Sequence, residues 1–149
     1  MSARCLRNGS VEVVDVLGAV TRWRSRRTWA DDWLIESRSE STGPAGTFID
    51  EMTRTAEPGV VEVLAVLAAA AAAVPEELDW VGAGPLEDLL SHRGHGASVI
   101  NEVEQTAARV PALKAALASV WVSEGVETDV RHRLVALGAR DLSVQGETH

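Results

Sequence analysis

The sequence predicts an all-α fold, a single-domain bundle or short α-solenoid of about six to seven helices. Two observations carry that expectation. Pro58, Pro75, Pro85 and Pro111 each precede a run with apolar residues at helical spacing, where a helix's first turn would lie. Strand signals are poor: tyrosine is absent, phenylalanine occurs once, and no Asn-Gly or Asp-Gly hairpin is expected between alternating runs. The 149 residues, 46% of them hydrophobic, suit one core but not two.

Taken in order, Ser10 reads as the cap of a first helix bearing Val13, Val14, Leu17, Val20 and Trp23. Brief alternation over residues 11–16 leaves a strand there as the lesser alternative. Trp29 and Trp33, four apart, share a face if that stretch is helical. Residues 36–46 (ESRSESTGPAG) read as a polar loop, and residues 47–54, with Phe48, Ile49 and Met52, as a short helix. From Pro58, Val60, Val61, Leu64, Leu67 and Ala68 recur at helical spacing into an alanine run ending at Ala73. Pro75 opens a helix with Glu76 and Glu77 in its first turn and Leu78 and Val81 behind them. Residues 97–109 place Val99, Ile100, Val103 and Ala107 inward, with Glu102 and Glu104 outward. Pro111 begins a helix with Leu113, Ala116, Leu117 and Val120 inward and Trp121 near its end. A last helix spans residues 129–137, closed by Gly138. This divides the chain into an N-terminal helical region (1–46), a helical core (47–138) and a tail (139–149) expected to be disordered.

Residues 79–90, DWVGAGPLEDLL, read as helix, tight corner, helix. Gly82 and Gly84 allow the exit by positive φ. Gly84 would then cap the next helix, with Pro85 first and Glu87 third, where a carboxylate meets free amides. Around Trp80, the run Gly-Pro-Leu-Glu-Asp-Leu-Leu at 84–90 is followed by Val99-Ile100 with Glu102, Arg109-Val110-Pro111 and Val120-Trp121-Val122. In these features residues 58–122 resemble a bacterial family of small all-helical domains of unknown function. The resemblance implies a helical fold and a bacterial origin, and it supplies no activity.

Charge is uneven. Net charge is −8, yet residues 1–28 hold six arginines against Glu12 and Asp15, leaving +4 there and −12 on the remainder. So acidic a body repels phosphate, which disfavours nucleic acid as its partner. Cys5 is the single cysteine and excludes an internal disulfide, in keeping with a reducing cytoplasm. The longest apolar tract, residues 63–74, falls short of the roughly 20 residues that span a bilayer, so no membrane association is expected. Thirteen arginines to one lysine, with abundant alanine, are associated with a GC-rich bacterial genome.

Candidate chemistry is sparse. Glu87 and Asp88 form the sharpest polar pair, read either as an acidic site or as helix capping, and capping explains the spacing without a ligand. Asp88, His92 and His95 suggest a metal or enzymatic site in residues 87–95, but Gly94 is expected to end the helix between the histidines. No HExxH, CxxC, GxSxG or P-loop pattern is present, Cys5 is expected in a mobile terminus, and no catalytic residue, metal or cofactor is assigned. Asp31-Asp32 and Glu76-Glu77 read as solvated faces, because neighbours on a helix point about 100° apart. Residues 22–33 interleave arginine with tryptophan. Arg24, Arg26 and Trp29 there could anchor a partner or contact nucleic acid; the simpler reading puts the tryptophans in the core. Trp80, Glu87, Asp88 and His92 complete the candidate binding residues. The functional expectation is a protein–protein interaction or accessory module whose acidic surface engages a basic protein, with the metal or enzymatic site as the alternative.

Overall fold

The computed structural model describes residues 1–142, so residues 143–149 of the expected tail lie outside the described residues. The chain opens with strands β1 (Ser2–Cys5), β2 (Val11–Val14) and β3 (Val20–Trp23). Helices α1 (Arg26–Arg38), α2 (Pro44–Thr55), α3 (Val60–Ala71) and α4 (Pro75–Val81) follow. Two wide π-type turns (Gly82–Leu86 and Asp88–His92) lead into α5 (Gly96–Arg109) and α6 (Pro111–Leu117). The described chain closes with β4 (Trp121–Val122), α7 (Thr128–Ala136) and β5 (Arg140–Asp141). Among the described residues the chain is mostly helical, with seven α-helices, but the all-α expectation is corrected by two small sheets.

The first sheet replaces the helix expected after Ser10. It is an antiparallel meander, β1-β2-β3, with Ala3 opposite Val13 and Val13 opposite Thr21. Both hairpins turn the same way. Gly9 N–H donates to Leu6 O and Gly18 N–H to Asp15 O, and both glycines have positive φ (89° and 84°), as a turn ending in a left-handed residue requires. Asn8-Gly9 is therefore the hairpin signal expected to be absent. Val11 and Val13 face the core while Val16 and Leu17 sit exposed in the second turn, a period of two that defeats the helical reading. Across the sheet's outer face Glu12 stands directly between Arg4 and Arg22, accepting from both at 2.6 and 2.7 Å.

Trp23, Trp29 and Phe48 join the meander to the helices: the Phe48 ring lies 5.9 Å from Trp23 and 5.2 Å from Trp29. Trp29 and Trp33 do share the buried face of α1. The expected loop at 36–46 is shorter than predicted, because α1 runs to Arg38 and Pro44 occupies the first turn of α2. Glu36 explains the tight join. Its carboxylate accepts the free amides of Gly43, Ala45 and Gly46 at the start of α2, within 3.0 Å.

Helix α3 is the centre of the molecule. Eight of its twelve residues are buried, which matches a helix apolar almost all round and enclosed by neighbours. It packs against α1, α2, α4, α5 and α6. Glu77, expected on a solvated face, is instead 7% exposed and holds Arg38 through two hydrogen bonds, tying α4 to α1. Glu76 remains exposed. Asp32 likewise accepts the Trp23 indole N–H at 2.8 Å, while Asp31 pairs with Arg27.

The stretch after α4 departs from expectation in an instructive way. Gly82 keeps right-handed helical geometry and makes no exit; the backbone breaks only at Gly84 (φ −99°, ψ −107°). Pro85 has no N–H for the carbonyl four residues back, so the chain widens, and the Glu87 amide reaches Gly82 O five residues earlier. Gly82 is needed for close approach, since a Cβ there would lie 2.1 Å from Ala116 O in α6. After α6 the chain becomes extended: Trp121 belongs to β4, not to a helix end. β4 pairs in parallel with β5, and α7 forms the crossover. Arg140–Asp141 and buried Ala139 thus give structure to the near end of the expected tail. Among the described residues no helix is long and apolar enough to cross a membrane.

Candidate functional site

The sequence candidates separate into several environments. The Glu87 side chain makes no capping hydrogen bond to its own helix. Its Oε1 accepts the Trp121 backbone N–H at 2.7 Å, which satisfies the start of β4 from 34 residues away. Asp88 Oδ1 lies 2.9 Å from His92 Nδ1, and Glu87 Oε2 lies 3.3 Å from His92 Nε2, so the exposed imidazole rests between two carboxylates. His95 turns elsewhere, its Nε2 2.8 Å from Arg54 O, because Gly94 (φ 76°) ends the helical run between the histidines. Among the described residues no group of three or more His, Cys, Asp or Glu side chains is placed to hold a metal ion.

Trp80 packs half-buried against the core, and Trp29 is fully buried with its indole N–H donated to Ala45 O at 3.0 Å. Arg26 is half-buried beside Cys5 at the start of α1, and Arg24 is exposed in the link from β3. Cys5 is not in a loose terminus: it lies in β1 against Gly59, and burial raises its thiol pKa. The arginine–tryptophan stretch therefore divides. Trp23, Trp29 and Trp33 are buried, while Arg22 is spent on Glu12 and Arg27 on Asp31.

An open feature lies where sequence reasoning placed none, between the β2–β3 hairpin and α2. A hollow of about 420 Å³ is lined by Met1, Asp15, Val16, Thr47, Asp50 and Glu51. A second, of about 210 Å³, shares Asp15 and Thr47 with it and adds Val13, Ala19, Thr21 and Pro44. Together they form one groove. Pro44, Thr47 and Asp50 follow at intervals of three, with Glu51 four after Thr47, and so form one stripe along α2. At the hairpin Val16, Leu17 and Val20 are 75%, 91% and 58% exposed, two aliphatic residues on the turn and one at the first position of β3. The turn is rigid, because Asp15 Oδ1 accepts the amides of Leu17 and Ala19, each at 2.9 Å. The signal that could have found the pair on the turn is Asp15-x-x-Gly18, a turn that must expose the two apolar residues it encloses.

The groove is electrostatically unfinished. Glu51 is held by Arg54, whose hydrogen-bonded guanidinium lowers its pKa, but among the described residues the Asp50 carboxylate has no hydrogen bond or ion pair. Burial first, then the charge of Asp88, push the Asp50 pKa above its ordinary 3.8 against the pull of Arg93, and Glu51 adds a smaller push. A carboxyl that binds its proton more tightly when folded destabilises the fold once ionised, so this contribution is lost as pH rises through the folded pKa. Asp50→Asn is therefore expected to raise Tm at pH 7 and to leave it unchanged well below pH 3.8, as thermal denaturation at the two pH values would show. Glu12, Glu51, Glu77 and Glu104 behave oppositely. Hydrogen-bonded guanidinium groups lower their pKa values, so their stabilisation is present above the ordinary 4.5 and disappears as acid titrates them.

Fold and groove together define a small helical domain with a β-meander laid over one end and an open groove at their junction. The matched segment places the chain within a family: residues 25–142 match a family of unknown function, DUF6869, and the chain belongs to it. The match starts at Ser25, the N-cap of α1, so the meander lies before the matched segment, which contains the whole of residues 58–122. Neither the curated proteins nor the solved structures gave a match to this chain.

Proposed function

We propose that this protein is a protein–protein interaction module that docks a partner through the β2–β3 hairpin and the groove beside α2. The observation that supports this most is the exposure of Val16 and Leu17 on a stiff turn, and of Val20 at the start of β3, next to an open groove. Aliphatic side chains held in water by a rigid turn cost solvation that only a covering surface returns. The acidic body favours a basic partner, drawn in at a rate that salt would lower. Nucleic acid fits the groove poorly, since Asp15, Asp50 and Glu51 line it. A bacterial, cytoplasmic setting belongs to the same reading, resting on the arginine and alanine bias and the single cysteine.

Affinity capture from a bacterial lysate at low and high salt tests this, with Val16→Ser/Leu17→Ser/Val20→Ser as control. These exposed positions are expected to change stability by no more than about 0.5 kcal/mol each. The expected result is a protein retained at low salt by the wild type and lost with the triple variant. No retained protein at low salt, or equal retention by the variant, contradicts the reading.

A further inference from the structure

We propose that the groove between the hairpin and α2 takes a short extended segment of a protein partner, with a lysine or arginine seated beside Asp50 and flanking aliphatic residues on Val13 and Val16. This deepens the docking reading above and rests on it. Three observations specify the occupant. The walls offer aliphatic surface (Val13, Val16, Ala19) on the sheet side and carboxylates (Asp15, Asp50, Glu51) alongside, a pairing that complements an aliphatic–cationic segment. Charge is least compensated at one place. Glu51 has Arg54, whereas the exposed Asp50 carboxylate has no hydrogen bond or ion pair among the described residues and feels only the more distant charge of Arg93. An incoming ammonium or guanidinium would supply a direct partner.

The dimensions suit an extended chain. The α2 wall from Pro44 to Glu51 rises about 10 Å, room for roughly three residues in extended conformation. The other wall includes Ala19 and Thr21, and Ala19 O is taken by the Asp15 amide within the hairpin, so an entering segment is held by its side chains.

Fluorescence anisotropy tests the inference with two end-capped, labelled peptides, Val-Lys-Leu-Lys-Val and Val-Glu-Leu-Glu-Val, added to the full chain at 50 mM and 500 mM salt (roughly the range over which screening grows severe). The lysine peptide is expected to bind, and more weakly at high salt, and the glutamate peptide not to bind. Asp50→Asn is expected to weaken the lysine peptide about fivefold to tenfold, and Thr47→Trp, which fills the groove floor, to abolish binding. Thermal denaturation of both variants confirms that they are folded. The inference is overturned if the lysine peptide fails to bind, if both peptides bind alike, or if Asp50→Asn and Thr47→Trp bind as the wild type does. Lysate capture separates this from the parent reading. Capture lost with the hairpin triple variant but kept by Asp50→Asn and Thr47→Trp leaves docking standing and removes the cationic segment. Capture indifferent to the triple variant removes docking itself.

Discussion

Trp29→Ala is expected to lower stability by about 3–5 kcal/mol and Tm by roughly 10–15 °C, the largest single loss the fold predicts. Trp29 is fully buried at the point where α1, α2 and the meander meet, with Phe48 against its ring and Ala45 O on its indole nitrogen. Removing the ring opens a cavity that the surrounding helices can close only in part. Trp29→Phe separates the two contributions. It keeps most of the apolar volume and deletes the N–H donor, so the expected loss is smaller, about 1–3 kcal/mol. Denaturant titration of the three proteins measures both. Equal stability of Trp29→Ala and wild type would mean that this stretch presents its tryptophan to a surface.

Gly82→Ala is the second. A methyl group there would meet Ala116 O at 2.1 Å and Ser119 Cβ at 2.8 Å, and the carbonyl belongs to the backbone of α6 and cannot swing aside. Alanine would otherwise favour a helical position by about 1 kcal/mol. Overpacking costs about 1–3 kcal/mol and occasionally more, and a clash with backbone belongs at the upper end. The net expectation is a loss of about 2 kcal/mol and a Tm lower by roughly 4–8 °C. Gly125→Ala is the control: nothing lies within 4 Å of its Cβ position, so thermal denaturation should show almost no change. If Gly82→Ala were as stable as wild type, α4 and α6 could not approach as closely as the structure places them.

The same two residues show how far the sequence could be read. Prolines in first turns and apolar residues at helical spacing follow from local periodicity, which is why α2, α3, α4, α5, α6 and α7 are anticipated to within a turn or so at most ends, whereas α1 is read only conditionally, from two tryptophans four apart. Pro44 carries the same signal, but the polar residues before it suggested a loop. The meander was missed because Val13, Val14, Leu17 and Val20 fit a helical stripe as well as a short strand. Only Asn8-Gly9 and Asp15-x-x-Gly18 distinguish the two. Long-range pairings gave no signal at all. Glu87 to Trp121 and Arg38 to Glu77 join residues 34 and 39 apart, and nothing in local spacing tells a carboxylate that caps its own helix from one that satisfies a distant strand. The groove was illegible for the same reason, since its two walls come from a hairpin read as a helix and from the polar face of a helix of which only the apolar face was read.

The functional account holds that a partner covers the hairpin and the groove, not the carboxylate–histidine cluster at Glu87, Asp88 and His92. Backbone amide shift mapping by NMR on the folded chain tests that most directly, with the captured partner or the lysine peptide added stepwise. The account predicts shifts concentrated at residues 15–21 and 44–51. Shifts confined to residues 87–95, with the hairpin amides unmoved, would contradict it.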